Sequence, residues 1–215
     1  MVSAVSDSRL IIVEGPIGVG KSSLAQLLSA EMAGRLVLEK VEENPFLFRF
    51  YDEPGRFAFQ TQLFFLLSRY GQLEALRQKD LFSQVTICDY FLPKDRIFAQ
   101  LTLGDEELGL YDQVYSLLNP KLPRPDLVVY ISATTSVLMN RIRQRGRPYE
   151  KAISYDYLET VNEAYNRFFF QYEETPLLVV STTDIDFVHR RSDLEDLIRQ
   201  VQSQRAGKIY YNPVR

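Results

Sequence analysis

A run of eight residues near the start of the chain, 15–22, has the pattern G-x-x-x-x-G-K-[ST]. An apolar, β-branched segment (10–13) precedes it, and a segment rich in leucine and alanine (22–33) follows it. In a strand, glycine-rich turn and helix of this kind, backbone N–H groups and the helix N-terminus converge on one anion. The sequence therefore predicts a binding site for a nucleoside triphosphate. The alternative is a chance glycine-rich turn, which the flanking segments disfavour.

Two side chains of this loop have the types that phosphate chemistry needs. Lys21 is predicted to reach the β- and γ-phosphates, and the Ser22 hydroxyl is predicted to hold Mg²⁺. The residues predicted to contact the nucleotide here are Gly15, Gly18, Val19, Gly20, Lys21, Ser22 and Ser23.

Two carboxylates end the second and third predicted strands, Glu39 and Asp89. Ligands of an open parallel sheet bind beyond the carboxyl ends of its strands, so both acids are expected beside the phosphate loop. Asp89 is the predicted second magnesium ligand, and Glu39 is the predicted base for an acceptor hydroxyl. The alternative for each acid alone is a solvated loop residue.

A cluster of arginines follows the fourth predicted strand. Arg141 and Arg145 are four residues apart and share a helix face, and Arg147 follows the helix-ending Gly146. Guanidinium groups suit planar phosphate contacts, so the cluster is predicted to be a lid over the triphosphate. A solvated basic helix end and an RNA-binding stripe are the alternatives, and the net charge of −3 weakens the second.

A long predicted helix supplies a candidate reader of a nucleobase. Gln62 and Arg69 are seven residues apart and lie nearly on one face, while Asp95 opens the helix after the third strand. Together they form a plausible set of hydrogen-bonding groups for a base edge. A buried Arg69–Asp95 structural pair explains the same residues equally well.

The elements that must position these residues alternate between short apolar strands and longer helices. This order predicts an α/β domain, with a five-stranded parallel sheet covered by helices on both faces. The predicted strands are 9–14, 36–39, 84–89, 127–131 and 177–180; the predicted helices are 56–79, 95–103, 105–118, 135–145, 155–174 and 192–204.

Bulk properties narrow the function classes. The 215 residues are expected to form one domain (1–215), with a flexible leader (1–8) and a flexible tail (207–215). The negative net charge argues against nucleic acid as a partner, and no apolar run reaches the length of a membrane span. The single cysteine, Cys88, permits no intrachain disulfide, so a cytoplasmic location is expected.

In these motifs and their order, the chain resembles the deoxynucleoside kinases, with the greatest similarity to the bacterial deoxyadenosine/deoxyguanosine kinase type. The similarity runs from about residue 9 to 204 and keeps the order of five segments: 15–22, 39–46, 62–69, 89–98 and 141–150. The phosphate loop alone is unspecific. Its combination with Asp-Arg-x-Phe-Ala at 95–99 and Arg-Gly-Arg at 145–147 is specific.

The resemblance implies ATP-dependent phosphorylation of the 5′-hydroxyl of deoxynucleosides, with purines preferred, by a homodimer that uses Mg²⁺; deoxycytidine is a possible acceptor. It implies the following roles: Glu39 as the base; Lys21, Arg141 and Arg145 as stabilisers of the transferring charge; Arg147 in the lid; Tyr51 and Glu150 on the 3′-hydroxyl; Gln62, Arg69 and Asp95 on the base edge; Asp186 and Phe187 on the donor adenine.

One departure from the family pattern stands out. Where these kinases commonly have an acid-Arg-Ser triplet after the third strand, this chain has Asp89-Tyr90-Phe91. The missing arginine raises the question of which cation holds the acceptor's 5′ end, and Arg143 is one candidate for compensation.

Two other function classes compete with this interpretation. A nucleotide kinase of the thymidylate kinase type needs arginines for an acceptor phosphate and no carboxylate base, so Glu39 and the absence of arginine at position 90 argue against it. A nucleotide-gated regulator of the GTPase kind would show Asn-Lys-x-Asp to read guanine, and the sequence contains no such segment.

Overall fold

The computed structural model describes residues 9–76, 84–118 and 122–213. Its strands are β1 (Arg9–Glu14), β2 (Arg35–Val37), β3 (Val85–Cys88), β4 (Leu127–Ser132), β5 (Leu177–Ser181) and β6 (Lys208–Tyr211). Its α-helices are α1 (Lys21–Glu31), α2 (Leu47–Asp52), α3 (Pro54–Ala75), α4 (Pro93–Thr102), α5 (Asp105–Leu118), α6 (Thr135–Arg145), α7 (Tyr155–Gln171) and α8 (Arg191–Ser203). Short 3-10 turns form at Val41–Glu43 and Pro148–Ala152.

The strands form one parallel sheet in the order β2-β3-β1-β4-β5-β6. Helices cover both faces of the sheet, so alternate residues of the central strand β1 pack in two different cores. Ile11 and Val13 pack in one core with Leu24 of α1, whereas Leu10 and Ile12 pack in the other with α3 and α7. A strand buried on both faces needs a continuous apolar run, which is what the sequence of β1 supplies.

The prediction of an α/β fold with a parallel sheet is therefore confirmed, but the prediction of five strands is wrong. The sixth strand lies in the segment 207–215 that was expected to be a flexible tail. Lys208–Tyr211 pairs in parallel with β5, and the Lys208 ammonium donates to the Phe170 carbonyl at 2.6 Å, at the end of α7. A cation suits the negative end of a helix dipole, so this contact helps to hold the strand at the sheet edge.

The other elements lie close to their predicted positions. Strands β1 and β4 begin where the sequence pattern places them, but β2 ends at Val37, two residues before Glu39. The short helix α2 was not predicted at all. It packs on α3 and the turn at Pro148–Ala152 through a small apolar cluster of Leu47, Phe50, Ala58 and Tyr149.

The predicted leader, 1–8, and the last residues of the long predicted helix, 77–79, lie outside the described residues. Among the residues that the structure does describe, no helix is both long and apolar enough to cross a lipid bilayer.

Candidate active site

The loop between β1 and α1 is tightly packed against α6. Gly18 has a φ of +83°, and a Cβ there would lie 2.8 Å from the Leu138 carbonyl oxygen and 2.7 Å from Ile142. Both the left-handed backbone and the lack of space require glycine at this position. The loop can therefore curl with its N–H groups toward one point, at the N-terminus of α1.

Lys21, the first residue of α1, bends back over the loop. Its ammonium donates to the Gly15 carbonyl at 2.6 Å and lies 3.9 Å from the carboxylate of Glu14. Burial lowers the pKa of Lys21 to about 8, although the charge of Glu14 partly offsets this effect. A binding anion would stabilise the charged form of this lysine, since an opposite charge nearby favours ionisation.

Ser22 and Asp89 meet at the rim of the sheet, as their predicted shared role requires. The Ser22 hydroxyl donates to Oδ2 of Asp89 at 2.5 Å, and the backbone N–H of Glu39 donates to Oδ1 at 2.6 Å. Asp89 is 3% exposed, so this buried carboxylate ties the loop after β2 to the first turn of α1.

The oxygen atoms of Ser22 and Asp89 are of the type that Mg²⁺ prefers, so these residues fit that ion. Within the described part of the chain, no group of three or more His, Cys, Asp or Glu side chains is placed to hold a metal. Magnesium at this point would thus depend on phosphate oxygens and water for its remaining ligands, as is usual where it accompanies a nucleotide.

Glu39 is held between two cations. Its Oε1 accepts hydrogen bonds from Nε of Arg69, at 2.7 Å, and from Nη2 of the same guanidinium, while its Oε2 accepts one from Lys94 at 3.0 Å. Burial alone would raise the pKa of Glu39, but the charges of Arg69, Lys94 and Lys21 outweigh it and hold that pKa well below its ordinary value. The carboxylate is therefore ionised at neutral pH.

Arg69 also forms the predicted ion pair with Asp95, which is fully buried. Arg69 lines the same cavity as Glu39, whereas Asp95 does not line it. Gln62 lies in that cavity too, and its Nε2 donates to the Thr102 hydroxyl at 3.3 Å. Because the Thr102 hydroxyl donates its own proton to the Phe98 carbonyl at 2.7 Å, the Gln62 amide must turn its nitrogen toward Thr102.

Tyr51, Glu150, Arg145 and Arg147 complete the wall of this cavity. The buried Glu150 accepts two hydrogen bonds from Arg145, from Nη2 at 2.5 Å and from Nε at 3.1 Å. Arg147 donates to the Tyr149 hydroxyl at 2.8 Å. The predicted phosphate-binding Arg145 and the predicted sugar-binding Glu150 are thus direct partners, which the sequence pattern did not indicate.

The guanidinium of Arg141 joins the phosphate loop to the segment after β5. It donates to the Val19 carbonyl at 3.1 Å and to the Thr182 carbonyl at 2.9 Å. Arg143, considered above as a substitute for the missing arginine, is exposed and lines neither this cavity nor the one described next. The structure therefore gives no support to compensation by Arg143.

A second cavity lies on the other side of the phosphate loop. Its walls include Gly18, Val19, Gly20, Ser23, Arg141, Arg145, Asp186 and Phe187. The buried ring of Phe187 would lie 3.2 Å from a Cβ at Gly20, so the loop and the ring are packed closely. The Asp186 carboxylate accepts from the backbone N–H groups of Val188 and His189, and this arrangement fixes the turn that carries Phe187.

Two charged residues of the site were missed by the sequence analysis, Lys94 and Glu14. Lys94 lies in the first turn of α4, and its ammonium is 3.6 Å from Glu14 as well as 3.0 Å from Glu39. Glu14 is fully buried and accepts hydrogen bonds from the backbone of Gly15 and Phe91, at 2.8 Å each. For Glu14, the sequence does contain a signal of a role in the site: a charged residue directly at the end of an apolar strand, before the phosphate loop.

The two cavities meet at the phosphate loop and share Gly18 and Arg145. One cavity contains the carboxylate of Glu39 together with aromatic and amide side chains. The other is bordered by the phosphate loop and Phe187. An acceptor and a donor that occupy such adjoining sites would have their reacting ends near Lys21, Arg145 and Glu39.

Comparisons with known proteins show the family of the chain. Residues 11–204 match the family described as Deoxynucleoside kinase. The chain is 41% identical to a deoxyguanosine kinase of Bacillus subtilis (strain 168) over 203 residues, which cover 92% of this chain and 98% of that protein. It is 28% identical to a deoxyadenosine/deoxycytidine kinase of the same organism, covering 93% of this chain and 94% of the relative.

A solved structure shows the same fold. The structure of a deoxyadenosine kinase from M. mycoides with bound dATP superposes with a TM-score of 0.79 at 26% identity, covering 91% of this chain and 100% of that one. The match to the family extends over most of the described residues, including the phosphate loop, both cavities and the arginine cluster. The chain belongs to the deoxynucleoside kinase family and is a phosphotransferase that uses a nucleotide as its phosphate donor.

Proposed function

We propose that this enzyme transfers the γ-phosphoryl group of ATP to the 5′-hydroxyl of purine deoxynucleosides, with Glu39 as the base. The observation that carries the proposal is the pair of cavities that share Gly18 and Arg145, with the Glu39 carboxylate in one and the phosphate loop bordering both. The family relationship supports the reaction, and this arrangement supports one substrate for each cavity.

In the proposed reaction, the 5′-oxygen of the acceptor forms a bond to the γ-phosphorus as the bond from that phosphorus to the bridging oxygen of the donor breaks. The 5′-hydroxyl proton passes to Glu39, and the products are a deoxynucleoside 5′-monophosphate and a nucleoside diphosphate. Phosphoryl transfer has a loose transition state, so orientation and charge stabilisation matter more than a strong base. An ionised carboxylate held by two cations suits that task.

Lys21, Arg145 and Arg147 surround the point where the cavities meet and would neutralise charge on the transferring group. The second cavity, bordered by the phosphate loop and Phe187, is the proposed donor cavity. Arg141, whose guanidinium donates to the carbonyls of Val19 and Thr182, would fix the phosphate loop against it. Ser22 and Asp89 would hold Mg²⁺, which supplies charge neutralisation at the phosphate oxygens. Asp186 and Phe187 would pack on the donor adenine.

The cavity that contains Glu39 is the proposed acceptor cavity, and it suits a purine deoxynucleoside. Phe65 and Phe98 line it, and the Arg69 guanidinium lies 4.5 Å from the centre of the Phe65 ring. Gln62 and Arg69 offer hydrogen bonds to the base edge, while Tyr51 and Glu150 would hold the sugar 3′-hydroxyl. The relatives named above include a deoxyguanosine kinase and a deoxyadenosine/deoxycytidine kinase, and deoxycytidine is accordingly a weaker candidate here.

An assay of phosphorylation tests the proposal directly. The purified enzyme is given ATP and Mg²⁺ with each of the four natural deoxynucleosides, with adenosine, and, in separate assays, with each of the four deoxynucleoside monophosphates. We expect deoxyguanosine or deoxyadenosine to have the highest kcat/KM and thymidine the lowest. Turnover of deoxynucleoside monophosphates but not of deoxynucleosides would instead support the thymidylate kinase type of activity.

Three further properties belong to the proposal. We expect a homodimer in solution, a cytoplasmic location, and no affinity for nucleic acid. The single cysteine, the negative net charge and the family relationship support them. Light scattering of the purified protein, with and without added duplex DNA, tests the first and the third.

A further inference from the structure

Lys94 is buried where a lysine is costly. Its side chain is 3% exposed, and it lies in the first turn of α4, where the helix dipole disfavours a positive charge. Burial of an ammonium group requires compensation, and Glu14 and Glu39 provide it at 3.6 and 3.0 Å. The fold therefore places a cation between the end of β1 and the proposed base.

The hydrogen bonds of Glu39 leave one of its oxygens available. Each carboxylate oxygen has two lone pairs, and Oε1 accepts two N–H groups from Arg69, so it is fully used. Oε2 accepts only the Lys94 ammonium among the described residues. Oε2 is therefore the oxygen with a lone pair left for an acceptor hydroxyl, and Lys94, which donates to it, lines the same cavity.

Position 90 cannot supply this cation. Tyr90 is fully buried in the core between β1, β3, α3 and α7. Its ring fills space in that core and adds no positive charge to the acceptor cavity. The charge beside Glu39 comes instead from the next element, α4, and from Arg69 on α3.

We propose that Lys94 is the positioning residue that replaces the missing arginine: it fixes Oε2 of Glu39 for the 5′-hydroxyl and adds the positive charge at the reacting oxygen. This inference rests on the proposed role of Glu39 as the base. When Glu39 accepts the proton from the 5′-hydroxyl, its negative charge disappears. Lys94 then still lies 3.6 Å from the Glu14 carboxylate, its other acidic neighbour.

The proposal is tested with Lys94→Met, which keeps the length of the side chain and removes its charge. We expect kcat to fall about 10²-fold or more, as when a preorganised donor at a reacting oxygen is removed. KM for ATP should stay within about three-fold, since Lys94 does not line the donor cavity. Lys94→Arg should recover at least about a tenth of the wild-type kcat, because it restores the charge.

Arg96→Met is the matched control. Arg96 lies in the same turn of α4, but its side chain is half exposed and pairs with Asp112 on the surface. Removal of this charge should leave kcat within about two-fold of the wild type. A Lys94→Met variant that keeps more than about a third of the wild-type kcat would overturn the proposal.

A double variant distinguishes action through Glu39 from a general loss of structure. In a Glu39→Gln background, Lys94→Met should lower kcat by less than about three-fold, because residues that act as a unit are not additive. Full additivity would show that Lys94 does not act through Glu39. Glu39→Gln with nearly normal turnover would refute the proposed function itself, separately from this inference.

Thermal unfolding shows whether each variant is folded at the assay temperature. If Lys94→Met is not, Lys94→Gln takes its place, because the amide can still donate to Glu39 without a charge. The proposal then requires kcat to fall at least about ten-fold in the folded Lys94→Gln protein. Wild-type turnover in that variant would show that the charge is not needed.

Discussion

Arg69 donates a hydrogen bond of 2.7 Å through its Nε to the carboxylate of Glu39. The sequence pattern had assigned these two residues separate tasks, one at the nucleobase and one at the sugar hydroxyl. Under the proposed roles, their contact couples the recognition of the base to the position of the catalytic carboxylate. A substitution of Arg69 would therefore lower turnover with every acceptor, and it cannot by itself report on base selection.

Glu39→Gln should lower kcat by about 10²–10⁴-fold, the usual effect of removing a general base. The amide of the introduced glutamine cannot accept the proton, although it fills the same space. Binding of ATP, measured by titration calorimetry, should change little because Glu39 does not line the donor cavity. A variant with more than about a tenth of the wild-type turnover at saturating substrates would contradict the role of base.

Lys21→Ala should lower kcat strongly, because the variant loses the ammonium that the loop holds over the phosphate site. Arginines that stabilise transferring phosphoryl groups contribute about 10³–10⁵-fold in related chemistry, and a lysine at this point is expected to approach the lower figure. Single-turnover kinetics would separate this effect from product release. An unchanged single-turnover rate would remove Lys21 from the transfer step.

Arg145→Ala should also lower kcat strongly, and it has a second expected effect. Because Arg145 pairs with the buried Glu150, its loss should raise KM for the deoxynucleoside as well. Arg143→Ala is the matched control, since Arg143 is two residues away on the same helix and, unlike Arg145, lines neither cavity. Equal losses in the two variants would refute a specific role for Arg145.

Asp95→Asn should relax the rejection of thymidine. In the proposed site, Asp95 acts through Arg69, because it pairs with that guanidinium but does not itself line the cavity that contains Glu39. The neutral amide should loosen the hydrogen-bond pattern that Arg69 offers to a base edge. Sites built on such hydrogen bonds discriminate by up to about 10⁴–10⁵-fold, so we expect the ratio of kcat/KM for a purine deoxynucleoside over thymidine to fall at least about ten-fold. If thymidine is the best substrate of the wild-type enzyme, this explanation of the pocket is wrong.

Gly18→Ala should destabilise the protein by more than about 1 kcal/mol and weaken ATP binding, because its φ is +83° and its Cβ would meet the Leu138 carbonyl. Gly71→Ala is the counterpart within α3, where a Cβ meets nothing within 4 Å. That substitution should stabilise the protein by about 0.5–1 kcal/mol, since alanine favours the helix. Urea unfolding of both variants measures the two changes in the free energy of unfolding. An unchanged free energy of unfolding in Gly18→Ala would argue against the tight packing of the loop.

The sequence alone determined the main features of this protein. The loop pattern at 15–22, the apolar run before it and the helical segment after it indicated a nucleotide site, because local geometry and phosphate chemistry are both encoded in neighbouring residues. The alternation of strands and helices indicated the parallel sheet. It also indicated that Glu39 and Asp89 lie near the loop, since strand ends meet at one rim.

Only the tertiary structure decided which charges face one another. Glu14 and Lys94 are distant in the sequence and ordinary in type, and their contact becomes visible once β1 and α4 are packed together. The pairing of β6 with β5 also depends on a long-range contact, and the sequence of the short segment 208–211 does not indicate its partner. Neighbouring residues are enough to determine where a helix or a strand forms. The partner of a buried charge or of an edge strand is distant in the sequence, so only the folded structure shows it.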